Sequence, residues 1–309
     1  MPRRNDTRGN AAIEEFDFQE GDALILLLGP SGVGKSTFIN NYSGQELATV
    51  THAYSTCTRS IKPIPAPPFE SNPMIGGNRV VLIDTPGFFG GDMNDAATLK
   101  QIANVLRPQG GRPRELAGII YLHDMTQKRL VRETQMSLSL FEEVCGTGSA
   151  HKAILVKTQW SRTPDTSALR RGADLNGTFF KQMIDAGAQC VDIKDGYTER
   201  HVVQHIVKRH YGASVAARLL VQLQQELESG LCIPQTAAGK VLKRCLLELL
   251  LYTDRSQLAQ ISATRAAIEE LAWPPSPLQK IKAYFKPILA FLWLRRRRLD
   301  SSTEPTKIA

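Results

Sequence analysis

The stretch that most constrains this chain covers residues 29–40 and reads GPSGVGKSTFIN. It follows a short apolar run, Ala23–Leu28, which has the length and composition of a buried parallel strand. The stretch fits the pattern G-x-x-x-x-G-K-[ST], in which glycines let backbone N–H groups approach phosphates. Lys35 is then expected to reach the β- and γ-phosphates, and the Ser36 hydroxyl to hold Mg²⁺. Because a helical pattern follows, the strand, the loop and the helix all indicate a phosphate-binding loop.

Each residue of this loop is a candidate nucleotide contact, because the backbone of such loops wraps around the phosphates. The candidates are Gly29, Pro30, Ser31, Gly32, Val33, Gly34, Lys35, Ser36 and Thr37. The helix that follows directs its positive end at the same phosphates. Lys35 is also expected to act in catalysis, since its charge faces the γ-phosphate.

A second motif, Asp84-Thr85-Pro86-Gly87, ends the β-rich run 79–83. An Asp at the carboxyl end of an apolar strand can hold Mg²⁺ through water, and the N–H of Gly87 can reach the γ-phosphate. The motif lies about 50 residues after Lys35, a separation typical of GTPases. We therefore expect Asp84 and Gly87 to contact the nucleotide, Asp84 as a metal ligand and Gly87 as a catalytic group.

The segment between the two motifs, residues 45–58, is rich in hydroxyl groups and has no clear periodicity. In a nucleotide switch, a mobile loop at this point supplies a threonine to the metal. The candidates are Thr49, Thr51, Thr56 and Thr58, and spacing alone does not choose among them.

Strands alternate with helices up to about residue 210, which predicts an α/β fold with a mostly parallel sheet covered on both faces. The predicted strands are 23–28, 79–83, 116–122, 152–156 and 190–193, with a short edge strand in the proline-rich segment 61–73. The predicted helices are 36–43, 95–106, 133–144, 175–186 and 198–207. This is the three-layer sandwich of P-loop proteins.

A helical extension is predicted after the sheet. Apolar residues recur at helical spacing over 215–227, and a second helical stretch covers 236–271, beyond Pro234. These stripes either pack on the parent domain or form a coiled-coil surface for a partner. The expected division is a flexible arm over 1–20, a nucleotide domain over 21–211, the helical extension over 212–272 and a tail over 273–309.

The net charge of +8 comes from the tail, where seven basic residues and no acidic one lie between positions 280 and 298. The apolar run 288–294 is far shorter than the roughly 20 residues that span a bilayer. Aromatic residues mixed with cations suit an interfacial helix on an anionic membrane surface. The alternative is a final helix docked on the protein with a solvated arginine cluster. Nucleic acid is disfavoured, since no recognised reading motif accompanies the arginines.

The cysteines and the N-terminus bear on the compartment. Five scattered cysteines without CxxC spacing suggest reduced thiols, and residues 1–15 lack the apolar segment of a secretory signal. We therefore expect a cytoplasmic protein, with peripheral membrane attachment as an option of the tail.

Several motifs together resemble the septin/AIG1/Toc-like branch of translation-factor-type P-loop GTPases. They are GPSGVGKSTFIN, the Cys57-Thr58 pair, VVLIDTPGFFGG, LAGIIYLHDMT and ILVKTQW. The likeness is greatest to fungal AIG1-type G domain-containing proteins, through GIIYLH, CG at 145–146 and TAAG at 236–239. The resemblance spans about 24–240.

The resemblance implies a GTP-binding protein that uses Mg²⁺, has GTP or GDP as its ligand, and can form a homodimer across the nucleotide face. It makes Thr58 the preferred switch threonine, with Ser36 and Asp84 as the other metal ligands. It also gives Thr58 a catalytic role beside Lys35 and Gly87.

Residues 158–161, Thr-Gln-Trp-Ser, fall where the resemblance places N-K-x-D, so Thr158 and Trp160 are expected to contact the base. The chain departs from that pattern, because Ser161 replaces the Asp that accepts hydrogen bonds from guanine. Lys157 or Trp160 could hold the base instead. No S-A-K-like element is evident near 192–198.

Phe88 follows the DTPG glycine, where many GTPases carry a glutamine that orients water, so unaided hydrolysis should be slow. His52 or a group from a second subunit could compensate. The favoured function is a slowly hydrolysing GTP switch, and the alternative is a non-hydrolysing scaffold. A nucleotide kinase is a third reading, because GPSGVGKST also resembles the loop of guanylate kinases. DTPG and the lack of an acceptor site oppose it.

Overall fold

A computed structural model of the chain describes the nucleotide domain and the helices that follow it. The described residues are 16–19, 21–50, 58, 60–66, 79–90, 94–107, 114, 116–162, 167–212, 220–254 and 256–272. The predicted tail contact over 280–298, and the candidates Thr51, Thr56 and His52, lie outside them.

The described strands form one six-stranded sheet in the order β2-β3-β1-β4-β5-β6. They are β1 (Ala23–Leu28), β2 (Lys62–Ala66), β3 (Val80–Asp84), β4 (Leu116–Asp124), β5 (Ala153–Thr158) and β6 (Gln189–Asp192). Only β2 pairs antiparallel, and it lies at the edge. Its two prolines explain this position, because a proline cannot donate to a second neighbouring strand. The prediction of a mostly parallel sheet is confirmed.

Helices cover both faces of the sheet. They are α1 (Lys35–Ser43), α2 (Asp95–Leu106), α3 (Arg132–Cys145), α4 (Ser167–Asp174), α5 (Lys181–Asp185), α6 (Glu199–Gly212), α7 (Gln222–Glu228), α8 (Ala237–Tyr252) and α9 (Leu258–Glu270). Short 3₁₀ helices cover Thr147–Lys152, Trp160–Arg162 and Ile233–Gln235, and a π-helical turn covers Leu175–Phe179.

The alternation of side chains along β1 sorts the core into two layers. Ala23, Ile25 and Leu27 pack with α1 and α6, whereas Leu24 and Leu26 pack with α2, α3 and the C-terminal helices. Since successive strand residues point to opposite faces, a fully apolar strand must be covered on both sides. The result is the three-layer α/β sandwich predicted from the sequence.

Two predicted helices have different bounds in the structure. The predicted helix 175–186 begins earlier, at Ser167, and contains the π-helical turn. Its first part, α4, buries only Ala168 and Gly172, which is too little apolar periodicity to show in the sequence. The predicted stretch 236–271 is two helices, since α8 ends at Tyr252 and α9 begins at Leu258.

The C-terminal helices pack on the nucleotide domain. Leu242, Leu246 and Leu249 of α8, with Ala267 of α9, belong to the same buried cluster as α2 and α3. Ion pairs join Glu270 to Lys100, and Glu248 to Arg132. The sheet and these helices form one compact unit that extends to Leu271. Within the described parts of the chain, no helix has both the length and the apolarity to cross a membrane.

Candidate nucleotide site

The phosphate-binding loop joins the end of β1 to the start of α1 at the carboxyl edge of the sheet. Gly29 has a φ of 145°, and a Cβ there would lie 2.8 Å from the carbonyl oxygen of Leu122. Gly34 has a φ of 96° and directly precedes α1. Only glycine adopts both conformations without strain, so the loop depends on these two residues.

Lys35 lies inside the loop that it is predicted to serve. Its ammonium donates to the carbonyl oxygens of Pro30 at 2.9 Å and Gly29 at 3.1 Å. Burial lowers the pKa of Lys35 to about 8, while the nearby Asp84 carboxylate acts in the opposite direction. Through these contacts the loop wraps around the ammonium, so the charge of Lys35 lies within the phosphate-binding loop.

Three oxygen-bearing side chains from separate segments meet at the start of α1. The Ser36 hydroxyl donates to Asp84 Oδ2 at 2.9 Å, and the Thr58 hydroxyl donates to the same oxygen at 3.3 Å. The two hydroxyl oxygens are 3.2 Å apart. Thr58, one of the four candidate threonines, therefore lies at the predicted metal ligands. The assignment of roles stays a prediction.

This cluster fits a magnesium ion by its chemistry. Mg²⁺ prefers hydroxyl, carboxylate and water oxygens. Asp84 Oδ1 is buried and has no hydrogen-bond partner among the described residues, so it has an unused lone pair for a metal-bound water. Burial raises the pKa of Asp84, while Ser36, Lys35 and Thr58 oppose that shift. No group of three His, Cys, Asp or Glu residues with metal-binding geometry occurs in the described ranges.

The DTPG segment docks on the phosphate-binding loop. The Thr85 hydroxyl donates to the carbonyl oxygen of Leu27 at 2.6 Å, and Pro30 forms an isolated parallel bridge with Phe88. A Cβ on Gly87 would overlap Ser31 and lie 2.7 Å from the carbonyl carbon of Pro30. Gly87 thus lets two backbones touch. Phe88 is 2% exposed and packs in the core, so its side chain does not face the phosphates.

A cavity of about 640 Å³ opens beside the phosphate-binding loop. Its walls come from α1, from the loop after β5 and from the loop after β6. The lining residues are Val33, Gly34, Thr37, Phe38, Asn41, Leu122, Thr158, Gln159, Trp160, Ser161, Leu169, Ile193, Lys194, Asp195 and Glu199. The carboxyl ends of parallel strands next to a phosphate loop form the usual crevice for a nucleotide.

The residues predicted to contact the nucleotide base differ in whether they line the cavity. Thr158 and Trp160 both line the cavity, and the Thr158 hydroxyl also donates to the carbonyl oxygen of His123. Lys157 does not line it. Its ammonium, on a residue that is 4% exposed, pairs with Asp192 at 2.9 Å and donates to Asn176. Burial and these contacts disfavour the suggestion that Lys157 holds the base, because they already engage its charge.

The sequence missed the far wall of the cavity. Ile193, Lys194 and Asp195 line it, although no S-A-K-like element was evident there. The Lys194 ammonium lies 4.5 Å above the centre of the Trp160 ring, a cation–π contact that joins the two walls. The available signal was position alone, since a loop that follows a parallel strand next to β5 must end at the same edge of the sheet.

Comparisons with known proteins agree with this geometry. Residues 24–152 match the model of the family described as 50S ribosome-binding GTPase. GTP-binding protein A of Dictyostelium discoideum is 26% identical over 141 residues, which are 45% of this chain and 28% of that protein. Translocase of chloroplast 90 of Arabidopsis thaliana is 29% identical over 170 residues, which are 54% of this chain and 19% of that protein. The matches thus span less than a third of either relative.

A solved structure shares the fold. It concerns the chloroplast translocon components atToc33 and psToc159 and is described as showing that dimerization is important for their GTPase activity. It is 17% identical to this chain, covers 65% of this chain and 87% of its own, and has a TM-score of 0.50. The fold, the phosphate-binding loop and the matched family model define a G domain of the P-loop GTPase class, as the sequence predicted.

Proposed function

We propose that this protein binds GTP together with Mg²⁺ and hydrolyses it slowly, as a nucleotide-dependent switch. The observation that carries the proposal is the meeting of Ser36, Thr58 and Asp84 at the phosphate-binding loop. These residues are far apart in the sequence, and a structural hydrogen-bond cluster would not need a loop that wraps around a lysine. GDP is the expected product state.

The proposed reaction is in-line attack of water on the γ-phosphate. Ser36 and Asp84 would hold the metal, and Thr58 would join them when the triphosphate is bound. Lys35 would stabilise charge on the β- and γ-phosphates, and Gly87 would donate its backbone N–H. Mg²⁺, when bound, neutralises charge on the phosphate oxygens.

The first test is calorimetric titration of the protein with GTP, GDP and ATP in the presence of Mg²⁺. We expect guanine nucleotides to bind more tightly than ATP, and Lys35→Ala to abolish measurable binding. Lys181→Ala is the matched control, because this exposed lysine pairs with Asp185 and does not line the cavity. Absence of binding to the unaltered protein would refute the proposal.

The second candidate is a scaffold that binds nucleotide without turning it over. The identity and burial of Phe88 favour it, since a buried phenylalanine ring cannot orient the attacking water molecule. Phosphate release measured at several protein concentrations separates the two functions. Turnover that rises with concentration supports a switch activated by self-association, whereas tight GTP binding with no phosphate release supports the scaffold.

We also propose that the protein belongs to the AIG1/septin/Toc-like branch and forms a homodimer across the nucleotide face. The exposed cations Lys128 and Arg129 support this, because they lie in the loop after β4, at the edge of the sheet that carries the site. Sedimentation of the GDP- and GTP-bound protein tests it, with Lys128→Ala/Arg129→Ala as the variant. A monomer in both nucleotide states would refute it.

The basic segment 280–298 is proposed to attach the protein peripherally to anionic membranes. The seven cations and the short apolar run support this. Co-sedimentation with vesicles of phosphatidylcholine, with and without phosphatidylserine, is the test. Binding that does not depend on phosphatidylserine would argue against an electrostatic contact.

A further inference from the structure

We infer that Asp195, in the loop after β6, selects guanine by accepting hydrogen bonds from its N1–H and 2-amino groups. The inference rests on the proposed function, since it names the specificity-determining residue of that same site. Ser161 occupies the position where the resemblance predicts a carboxylate, so another residue must accept the hydrogen bonds from guanine.

Guanine differs from adenine at the edge where it presents two adjacent donors, N1–H and the 2-amino group. A carboxylate has two acceptor oxygens that match this pair, whereas a serine hydroxyl offers a single oxygen. Discrimination therefore calls for an acidic side chain at the cavity. Of the residues that line the cavity, Asp195 and Glu199 are the acidic ones.

Glu199 is already engaged. It lies at the start of α6, and its carboxylate accepts a hydrogen bond from the Asn41 amide at 2.8 Å. This contact ties α6 to α1, and a base that displaced it would leave the Asn41 amide without its partner. The Glu199 carboxylate thus has a structural role in the wall of the cavity.

The Asp195 carboxylate is available. No hydrogen bond or ion pair engages its side chain within the described part of the chain, and it lies on the exposed rim of the cavity. The neighbouring cation does not neutralise it, because the Lys194 ammonium lies over Trp160 and 3.7 Å from Asp192. Asp195 thus lines the cavity with a carboxylate that no described residue engages.

The backbone holds Asp195 in place. The N–H of Tyr197 donates to the carbonyl oxygen of Lys194 at 2.9 Å, and the two central residues of that turn, Asp195 and Gly196, have φ values of 52° and 84°. Such turns accept glycine or asparagine equally well. The turn alone therefore does not require a carboxylate.

A second left-handed residue faces the same cavity. Three non-glycine residues of the described chain have a positive φ, and two of them, Gln159 and Asp195, line this cavity from opposite loops. Residues held in this region cost free energy and concentrate at binding sites. The two left-handed residues lie in the loops on both sides of one cavity, so both loops shape it.

The experiment uses Asp195→Asn, which suits the turn and keeps the size of the side chain but removes one acceptor. Affinities for GTP, inosine triphosphate, which lacks the 2-amino group, and xanthosine triphosphate, which carries a carbonyl there, are measured by calorimetry. We expect the variant to bind GTP about ten- to a hundredfold more weakly, the free energy of a hydrogen bond to a charged group. The variant should show no preference for GTP over inosine triphosphate. It should also bind xanthosine triphosphate more tightly than the unaltered protein does.

Ser161→Ala is the matched control, and we expect it to keep the preference for GTP over inosine triphosphate. An unchanged preference in Asp195→Asn, or a preference lost in Ser161→Ala, would overturn the inference while leaving GTP binding intact. If the unaltered protein binds no nucleotide, the proposed function fails and the inference fails with it. Thermal melting of each variant confirms that the protein compared is folded.

Discussion

Asp95 offers a direct test of the electrostatics next to the DTPG segment. It is the first residue of α2 and is 5% exposed, and its Oδ1 accepts a hydrogen bond from the N–H of Phe89 at 3.0 Å. That contact holds Phe89 at a φ of 60°, just after the motif. Burial raises the pKa of Asp95 from 3.8 to about 7, and the hydrogen bond from Phe89 reduces the shift.

The sign of the pH dependence follows from this shift. Between pH 4 and 7 the folded protein holds a proton on Asp95 that the unfolded chain releases, so the free energy of unfolding falls as the pH rises. A shift of about three units corresponds to about 4 kcal/mol over this window. The N-terminus of α2 favours the ionised form by up to about 1 kcal/mol, which leaves about 3 kcal/mol.

Asp95→Asn removes the titration and keeps the acceptor for Phe89. We expect the unaltered protein to lose about 3 kcal/mol of unfolding free energy between pH 4 and 8 relative to the variant, measured by urea denaturation at each pH. The variant should be the more stable protein above pH 7. Parallel pH profiles would show that Asp95 is ionised or hydrated in the folded state and would refute this reasoning.

Two further substitutions test close packing and a buried charge. Gly87→Ala should lower the melting temperature and weaken GTP binding at least tenfold, because its Cβ would overlap the phosphate-binding loop; Gly148→Ala, whose Cβ would meet no atom within 4 Å, is the control. Equal effects in both variants would show that the close approach does not matter. Lys157→Met should cost about 2–3 kcal/mol in urea denaturation, because it removes the buried ammonium that pairs with Asp192 and donates to Asn176, whereas Lys181→Met breaks an exposed pair and should cost less than about 1 kcal/mol. Similar losses in the two variants would contradict the structural importance of the buried ion pair.

Much of the fold follows from local sequence. The strand Ala23–Leu28, the helix Asp95–Leu106 and the positive-φ glycine Gly146 after α3 are all recognisable, because apolar periods and terminal glycines act within a few residues. Helix α4 was missed because its contacts are made by Ala168 and by Gly172, which packs against Trp160. Small residues bury little area, so they leave no periodic signal.

The sequence by itself determined the phosphate-binding loop and the DTPG motif, since both depend on residue types at short, fixed spacings. The resemblance made Thr58 the preferred threonine, but only the tertiary structure shows it in contact with Ser36 and Asp84, which are 22 and 26 positions away in the chain. The pairing of β1 with β3 brings these segments to one edge. Likewise, only the packing of the loops after β5 and β6 brings Asp195 and Gln159 to the same cavity. The position of a loop depends on the strand that precedes it, and the order of the strands is a property of the whole sheet.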